Sequence, residues 1–200
     1  MSDAPSASFE ITHSGALRLL VTHPPAASRR AVFLDRDGVI NRRIVGGYVT
    51  KWSEFEFLPG AMDGIVRLAT RDGPIIVVSN QAGVGKGLVA VSDLAEITSR
   101  FVGAIQERGG RIDAVYYCPH TPADDCECRK PKPGLLVQAA SDWQLDLRAS
   151  VMLGDSESDA AAGRAAGCAV ILASRASEMD AAWRQLANGG GCGASGGFRR

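Results

Sequence analysis

Residues 31–41 read Ala31-Val32-Phe33-Leu34-Asp35-Arg36-Asp37-Gly38-Val39-Ile40-Asn41. Four apolar residues run straight into Asp35-x-Asp37-Gly38. A short apolar run bounded by polar and glycine signals predicts a buried parallel strand. It ends in two carboxylates two positions apart, which an extended backbone directs to one side. Gly38 then permits a sharp turn. A core strand without chemistry has little use for two acids at its end. The plainer reading of the pair is a helix N-cap followed by a surface charge.

Four further apolar runs follow, at Pro74–Val78, Ala114–Tyr117, Val151–Leu153 and Ala169–Leu172. Between them Leu94, Ile97, Phe101 and Ile105 recur at helical spacing, with Ser92 as the expected N-cap and Gly109 beyond the end. Leu135, Leu136, Ala139, Ala140 and Trp143 mark another helix behind Pro133. Strand alternating with helix predicts an α/β fold, a mainly parallel sheet with helices on both faces. The expected strand ends carry Asp35 and Asp37, then Ser79-Asn80-Gln81, then Cys118, then Gly154-Asp155. In open α/β sheets ligands bind outside the carboxyl ends of the strands, so one crevice would gather these polar residues.

The 200 residues suit one domain, and 46% apolar with 22% charged residues is ordinary for a globular chain. A formal net charge of zero offers no electrostatic case for nucleic acid or a membrane surface. No apolar run approaches the ~20 residues that span a bilayer. No basic segment followed by an apolar one opens the chain, so a cytoplasmic protein without a secretory signal is expected. The folded unit is expected over residues 30–187. Residues 1–29 read as a partly flexible extension, in which Leu17–Val21 forms an extra strand or a short helix and 23–28 a linker. Residues 188–200 read as a flexible glycine-rich tail.

Three constellations carry chemistry. Asp35, Asp37 and Asp155 fall at strand ends, and three converging carboxylates repel unless a cation offsets them. Hard oxygen ligands favour Mg²⁺. An aspartate ionised at neutral pH needs no base to act as a nucleophile, and a second acid can move the proton. The stretch Ser79-Asn80-Gln81-Ala82-Gly83-Val84-Gly85-Lys86-Gly87 invites a nucleotide-loop reading. That reading fails, because Asn80 stands where a Walker loop needs Gly and Gly87 where it needs Ser or Thr. A hydroxyl and an amide remain, suited to phosphate oxygens.

The third constellation is Cys118-Pro119-His120-Thr121-Pro122-Ala123-Asp124-Asp125-Cys126-Glu127-Cys128. Three thiols and an imidazole make a closed Cys₃His set for a structural zinc ion. Such a set points to a reducing compartment rather than a disulfide framework. Cys168 reads as core and Cys192 as an unpaired thiol in the tail. Directly after the loop, Arg129 and Lys130 offer a planar fork and a compact charge for phosphate, while Lys132 reads as a solvated surface cation.

Asp-x-Asp-Gly, a strand-end Ser, a Lys and Gly-Asp-x-x-x-Asp, in that order, resemble the haloacid dehalogenase superfamily of phosphotransferases over about residues 31–175. Cys-x-His…Cys-x-Cys-Arg-Lys-Pro narrows the resemblance to its zinc-loop branch, which holds the heptose bisphosphate phosphatases. The resemblance implies an uncapped, Rossmann-like α/β/α sandwich and a Mg²⁺-dependent phosphatase acting on a small phosphorylated sugar, with no nucleic-acid or membrane partner, as a monomer. It implies that Asp35 attacks phosphorus and that Asp37 protonates the leaving oxygen and then activates water. Mg²⁺ would be held by Asp35, Asp155 and the backbone carbonyl of Asp37. Ser79 and Lys130 would stabilise the phosphoryl group, Asn80 would orient the site, and Arg129 would grip the uncleaved phosphate. Gly46, Gly47 and Tyr48 would border the entrance. Ser156 departs from the pattern, standing where those enzymes commonly carry Lys. The alternatives are a histidinol-phosphate phosphatase, a DNA 3′-phosphatase, or a phosphate-binding module without catalysis.

Overall fold

The β-branched and aliphatic runs found in the sequence form six strands of one seven-stranded sheet. The computed structural model describes residues 8–22, 29–173 and 176–188. The strands are β1 (Glu10–Ile11), β2 (Leu17–Leu20), β3 (Val32–Leu34), β4 (Ile75–Asn80), β5 (Ala114–Cys118), β6 (Val151–Gly154) and β7 (Ala169–Leu172). Their order across the sheet is β1-β2-β5-β4-β3-β6-β7. From β5 to β7 all neighbours are parallel, and β2 and then β1 extend the β5 edge antiparallel. The strand carrying Asp35 therefore lies inside the sheet, held by β4 on one side and β6 on the other.

The helices are α1 (Ala61–Ala69), α2 (Ala82–Gly85), α3 (Val91–Glu107), α4 (Gly134–Trp143), α5 (Glu157–Ala166) and α6 (Ala176–Ala187). Alternation along each strand sorts them into two layers. Leu34, Ile75, Val77, Val115, Tyr117 and Leu153 face α1, α3 and α6, through Ile65, Phe101 and Trp183 among others. Phe33, Ile76, Val78, Tyr116 and Met152 face the opposite way, onto Leu135, Leu136, Ala139 and Trp143 of α4 and Ala162 of α5. Both faces of the central strands are buried, which is why they read as unbroken apolar runs. Gly64 lets α1 and α6 meet, since a Cβ there would lie 2.4 Å from the Trp183 indole.

Three local expectations are refined. Leu17–Leu20 is a strand, paired residue for residue with Ala114–Tyr117, so the choice between strand and helix resolves to strand. Its hairpin turns at Gly15, whose amide donates to the Thr12 carbonyl, and Phe9 packs on the Tyr117 ring at 5.5 Å. Helix α3 is capped by Ala90 rather than Ser92, because extended Ala90 already accepts the Leu94 amide and Ser92 falls inside the first turn. Gly109 does follow the helix end, left-handed at φ +81°. Cys168 is buried at the head of β7. The linker at 23–28, the tail at 189–200 and Cys192 lie outside the described residues.

Between β3 and β4 the chain forms only a one-turn 3-10 helix at Trp52–Glu54 and α1, so no separate lid domain stands there. Among the described residues no helix is long and apolar enough to cross a membrane.

Candidate active site

The carboxyl ends of β3, β4 and β6 open into one cleft of about 460 Å³. Asp35, Asp37, Ser79, Asn80, Arg129 and Lys130 line it, with Gly46, Gly47 and Tyr48 at its border. Asp155 joins Asp35 from the end of β6. The residues that the sequence places at separate strand ends are thus brought together.

At the floor, the Asp35 carboxylate accepts a hydrogen bond of 2.9 Å from Lys130 Nζ. The same ammonium donates to the Val78 carbonyl at 2.9 Å and pairs with Asp159 at 2.5 Å. Lys130 and Asp159 are almost wholly buried. Asn80 fixes the lysine's backbone from both ends of its amide. Its Nδ2 donates to the Lys130 carbonyl at 3.0 Å, and its Oδ1 accepts the Lys130 amide at 3.1 Å. Asn80 so spends its polar atoms on placing Lys130.

Asp37 is held by three donors. Gln81 Nε2 lies 2.8 Å away, Asn41 Nδ2 2.9 Å, and the buried Arg36 guanidinium forms an ion pair at 2.9 Å. Burial alone would raise the Asp37 pKa, but the Arg36 charge and these bonds hold it below the usual carboxylate range. Asp35 goes the other way. Burial pushes it up against the pull of Lys130, and the charges of Asp159 and Asp37 add to the rise. Asp155 is pushed up to about 7 by burial and by the Asp35 charge, with Arg43 opposing.

This imbalance tests whether the site suits a divalent cation. Asp35, Asp155 and Asp159 present oxygens within 4.8 Å of one another, and Lys130 alone faces Asp35 and Asp159. An all-oxygen set with surplus negative charge fits Mg²⁺. Two glycines shape the cradle. A Cβ at Gly38 (φ +97°) would sit 1.9 Å from Asp155 Oδ2, and one at Gly154 would sit 2.1 Å from the Asp159 Cβ.

The Cys₃His set also closes up. Cys118 Sγ lies 3.6 Å from both His120 Nδ1 and Cys126 Sγ, while Cys128 Sγ lies 3.2 Å from His120 Nδ1 and 3.5 Å from Cys126 Sγ. Four ligands at ~2.0–2.3 Å from a tetrahedral centre are separated by roughly 3.3–3.8 Å. The cluster therefore has the dimensions of a zinc site. Arg129 is tied back to this loop by a 3.2 Å bond to the His120 carbonyl. Lys132 is more than a solvated cation, since it bonds Asp125 and Glu127 and braces the loop from outside.

Sequence reasoning missed Asp159, Arg36 and Arg43 as parts of the site, and it placed Gln81 at the strand end without giving it a role. Asp159 carried a signal, being the second acid of Gly-Asp-x-x-x-Asp and the N3 residue of a capping box with Ser156. Gln81 and Arg36 adjoin motif residues but show no periodicity of their own. Arg43 reaches Asp155 across the cleft, a pairing that only tertiary structure reveals.

Known proteins resemble this chain in sequence and fold. The profile of the HAD-hydrolase-like family matches residues 127–188. The chain is 39% identical over 137 residues to D-glycero-beta-D-manno-heptose-1,7-bisphosphate 7-phosphatase of Helicobacter pylori strain J99, covering 68% of this chain and 78% of that protein. It is 38% identical over 174 residues to D-glycero-alpha-D-manno-heptose-1,7-bisphosphate 7-phosphatase of Mycobacterium tuberculosis, covering 80% and 90%. The crystal structure of D,D-heptose 1,7-bisphosphate phosphatase from B. bronchiseptica, complexed with magnesium and phosphate, superposes with a TM-score of 0.69. Its identity is 37%, over 72% of this chain and 79% of that one. Identity at this level along most of both chains places the chain in the haloacid dehalogenase superfamily of hydrolases, among its heptose bisphosphate phosphatases.

Proposed function

We propose that this enzyme removes the C7 phosphate of D-glycero-D-manno-heptose 1,7-bisphosphate. The observation that carries the reading is Asp35 paired with a buried Lys130 at the floor of the cleft, beside a separately held Asp37. A module that only binds phosphate needs no carboxylate at the point where phosphorus would sit.

In the first half-reaction Asp35 Oδ attacks phosphorus. A bond forms from Asp35 to phosphorus as the bond from phosphorus to the sugar oxygen breaks, leaving an aspartyl phosphate. Asp37 gives its proton to the departing oxygen. In the second half-reaction Asp37 takes a proton from water, and that water's oxygen attacks phosphorus and frees Asp35. The donors around Asp37 keep it ionised in the resting site, the form required for the second step. Arrival of a charged phosphoryl group nearby raises its pKa and supplies the protonated form for the first. Lys130 and Ser79 line the cleft; in this reading the ammonium offsets the charge of the transferring oxygens and the hydroxyl donates to them. Asp35, Asp155 and the Asp37 carbonyl would hold Mg²⁺, which when bound neutralises phosphate charge.

Cys118, His120, Cys126 and Cys128 hold a structural zinc ion in this reading, which keeps Arg129 at the cleft for the phosphate that is not cleaved. The thiols must stay reduced to bind zinc, which suits the cytoplasm. The deciding experiment is phosphate release in Mg²⁺ from heptose 1,7-bisphosphate, histidinol phosphate and 3′-phosphorylated DNA, side by side. The bisphosphate should react much faster than the other two. Equal rates on all three would refute the substrate.

A further inference from the structure

Five cations line the cleft: Arg36, Arg43, Lys86, Arg129 and Lys130. Four have settled tasks. Arg36 is buried against Asp37, Lys130 is wired to Asp35 and Asp159, and Arg129 is bonded to the zinc loop. Lys86 stands over the Tyr48 ring at 5.5 Å. Arg43 is placed differently. It enters from the rim with a half-exposed side chain, yet its guanidinium reaches inward to Asp155.

Its Nη2 donates to Asp155 Oδ1 at 2.8 Å and stands 3.4 Å from the Asp37 carbonyl oxygen. Those oxygens belong to two of the three groups assigned above to the divalent cation. A guanidinium and a dication drawn to the same oxygens repel each other and compete for them. The backbone beside Arg43 is anchored. The Arg42 amide donates to the Glu56 carbonyl at 2.8 Å, and the Arg42 side chain pairs with the Glu56 carboxylate at 2.8 Å. Release of Arg43 thus needs only side-chain rotation, and its planar fork then lies at the cleft mouth with phosphate as its natural ligand.

We propose that Arg43 is an internal counter-ion of Asp155 that competes with the divalent cation for this acid, and that metal loading displaces it onto the second phosphate of the substrate. The second half of this statement rests on the proposed bisphosphate reaction; the first half does not. Displacing Arg43 is a cost that metal binding bears, so the apparent affinity is lower than the acids alone would give.

The test uses the zinc-loaded full chain, with circular dichroism to confirm the fold of each variant. Calorimetric titration with MgCl₂ in the absence of phosphate reads the first half. Arg43→Ala should bind Mg²⁺ about three- to tenfold more tightly than the wild type, with Arg43→Lys between them. Affinity unchanged or weaker in Arg43→Ala overturns the counter-ion role. At saturating Mg²⁺, the KM of Arg43→Ala should rise several-fold more for the bisphosphate than for p-nitrophenyl phosphate, with kcat affected less. Equal KM changes on both substrates overturn the hand-over to the second phosphate. Should the wild type ignore the bisphosphate, the substrate reading falls while the Mg²⁺ titration still decides Arg43.

Discussion

At the scale of single residues, the site works by unequal treatment of neighbouring acids. Asp35 and Asp37 differ by two positions and leave the same strand end, yet the pKa of one is pushed up by burial and that of the other held down. The difference lies in what surrounds them: Lys130 with two further acids around Asp35, and Arg36, Asn41 and Gln81 around Asp37. Asp35→Asn keeps the size of the side chain and removes the nucleophilic oxygen. Turnover should fall by about a thousandfold or more, while zinc content and melting temperature stay near the wild type. Normal turnover in this variant would remove Asp35 from the nucleophile's role. The pair was legible in the sequence because a strand end and a two-residue spacing are local properties. The ring of partners was not. Asp159 closes on Lys130 from a helix 29 positions later, and no spacing rule predicts which acid a buried lysine will choose.

At the scale of elements, the parallel strands announced themselves, while the antiparallel β2 read as either strand or helix and β1 did not show. Strands β3 to β6 are buried on both faces and read as plain apolar runs, and the edge strand β7 reads the same way with Leu172 exposed. Strand β1 is two residues long and exposed, so it offers no pattern to read. The helix start at Ala90 was misplaced to Ser92 because the cap preference of a hydroxyl is weak beside the tertiary setting of the turn. The zinc loop is the element with the least core of its own, and its outer brace is Lys132 with two exposed acids. Exposed ion pairs contribute little, so the proposed zinc ion is what would carry the loop. Stripping zinc with a chelator should therefore lower the melting temperature and raise KM for the bisphosphate, and Mg²⁺ alone should not restore either. A melting curve indifferent to chelation would contradict a structural metal.

At the scale of the whole molecule, the sheet has one protected and one extended margin. Strand β2 covers the edge of β5 along four paired residues, and the Val21 and Thr22 amides continue the contact to the Asp113 carbonyl. An uncovered β5 would present unpaired amides and carbonyls to other chains. Deleting residues 1–22 should lower the melting temperature and produce concentration-dependent association in light scattering. A monodisperse truncated protein of unchanged stability would show that the edge needs no cover. The central place of β3 between β4 and β6 has a further consequence, in the order of synthesis. The chain leaves the ribosome from its N-terminus at about 5–20 residues per second, so roughly 6–25 s separate the emergence of Asp35 from that of Asp159. For roughly the first 5–19 s of it, until Lys130 emerges, the nascent chain displays an acid pair with neither its lysine nor its remaining acids. The newborn protein is chemically silent until four-fifths of it exists.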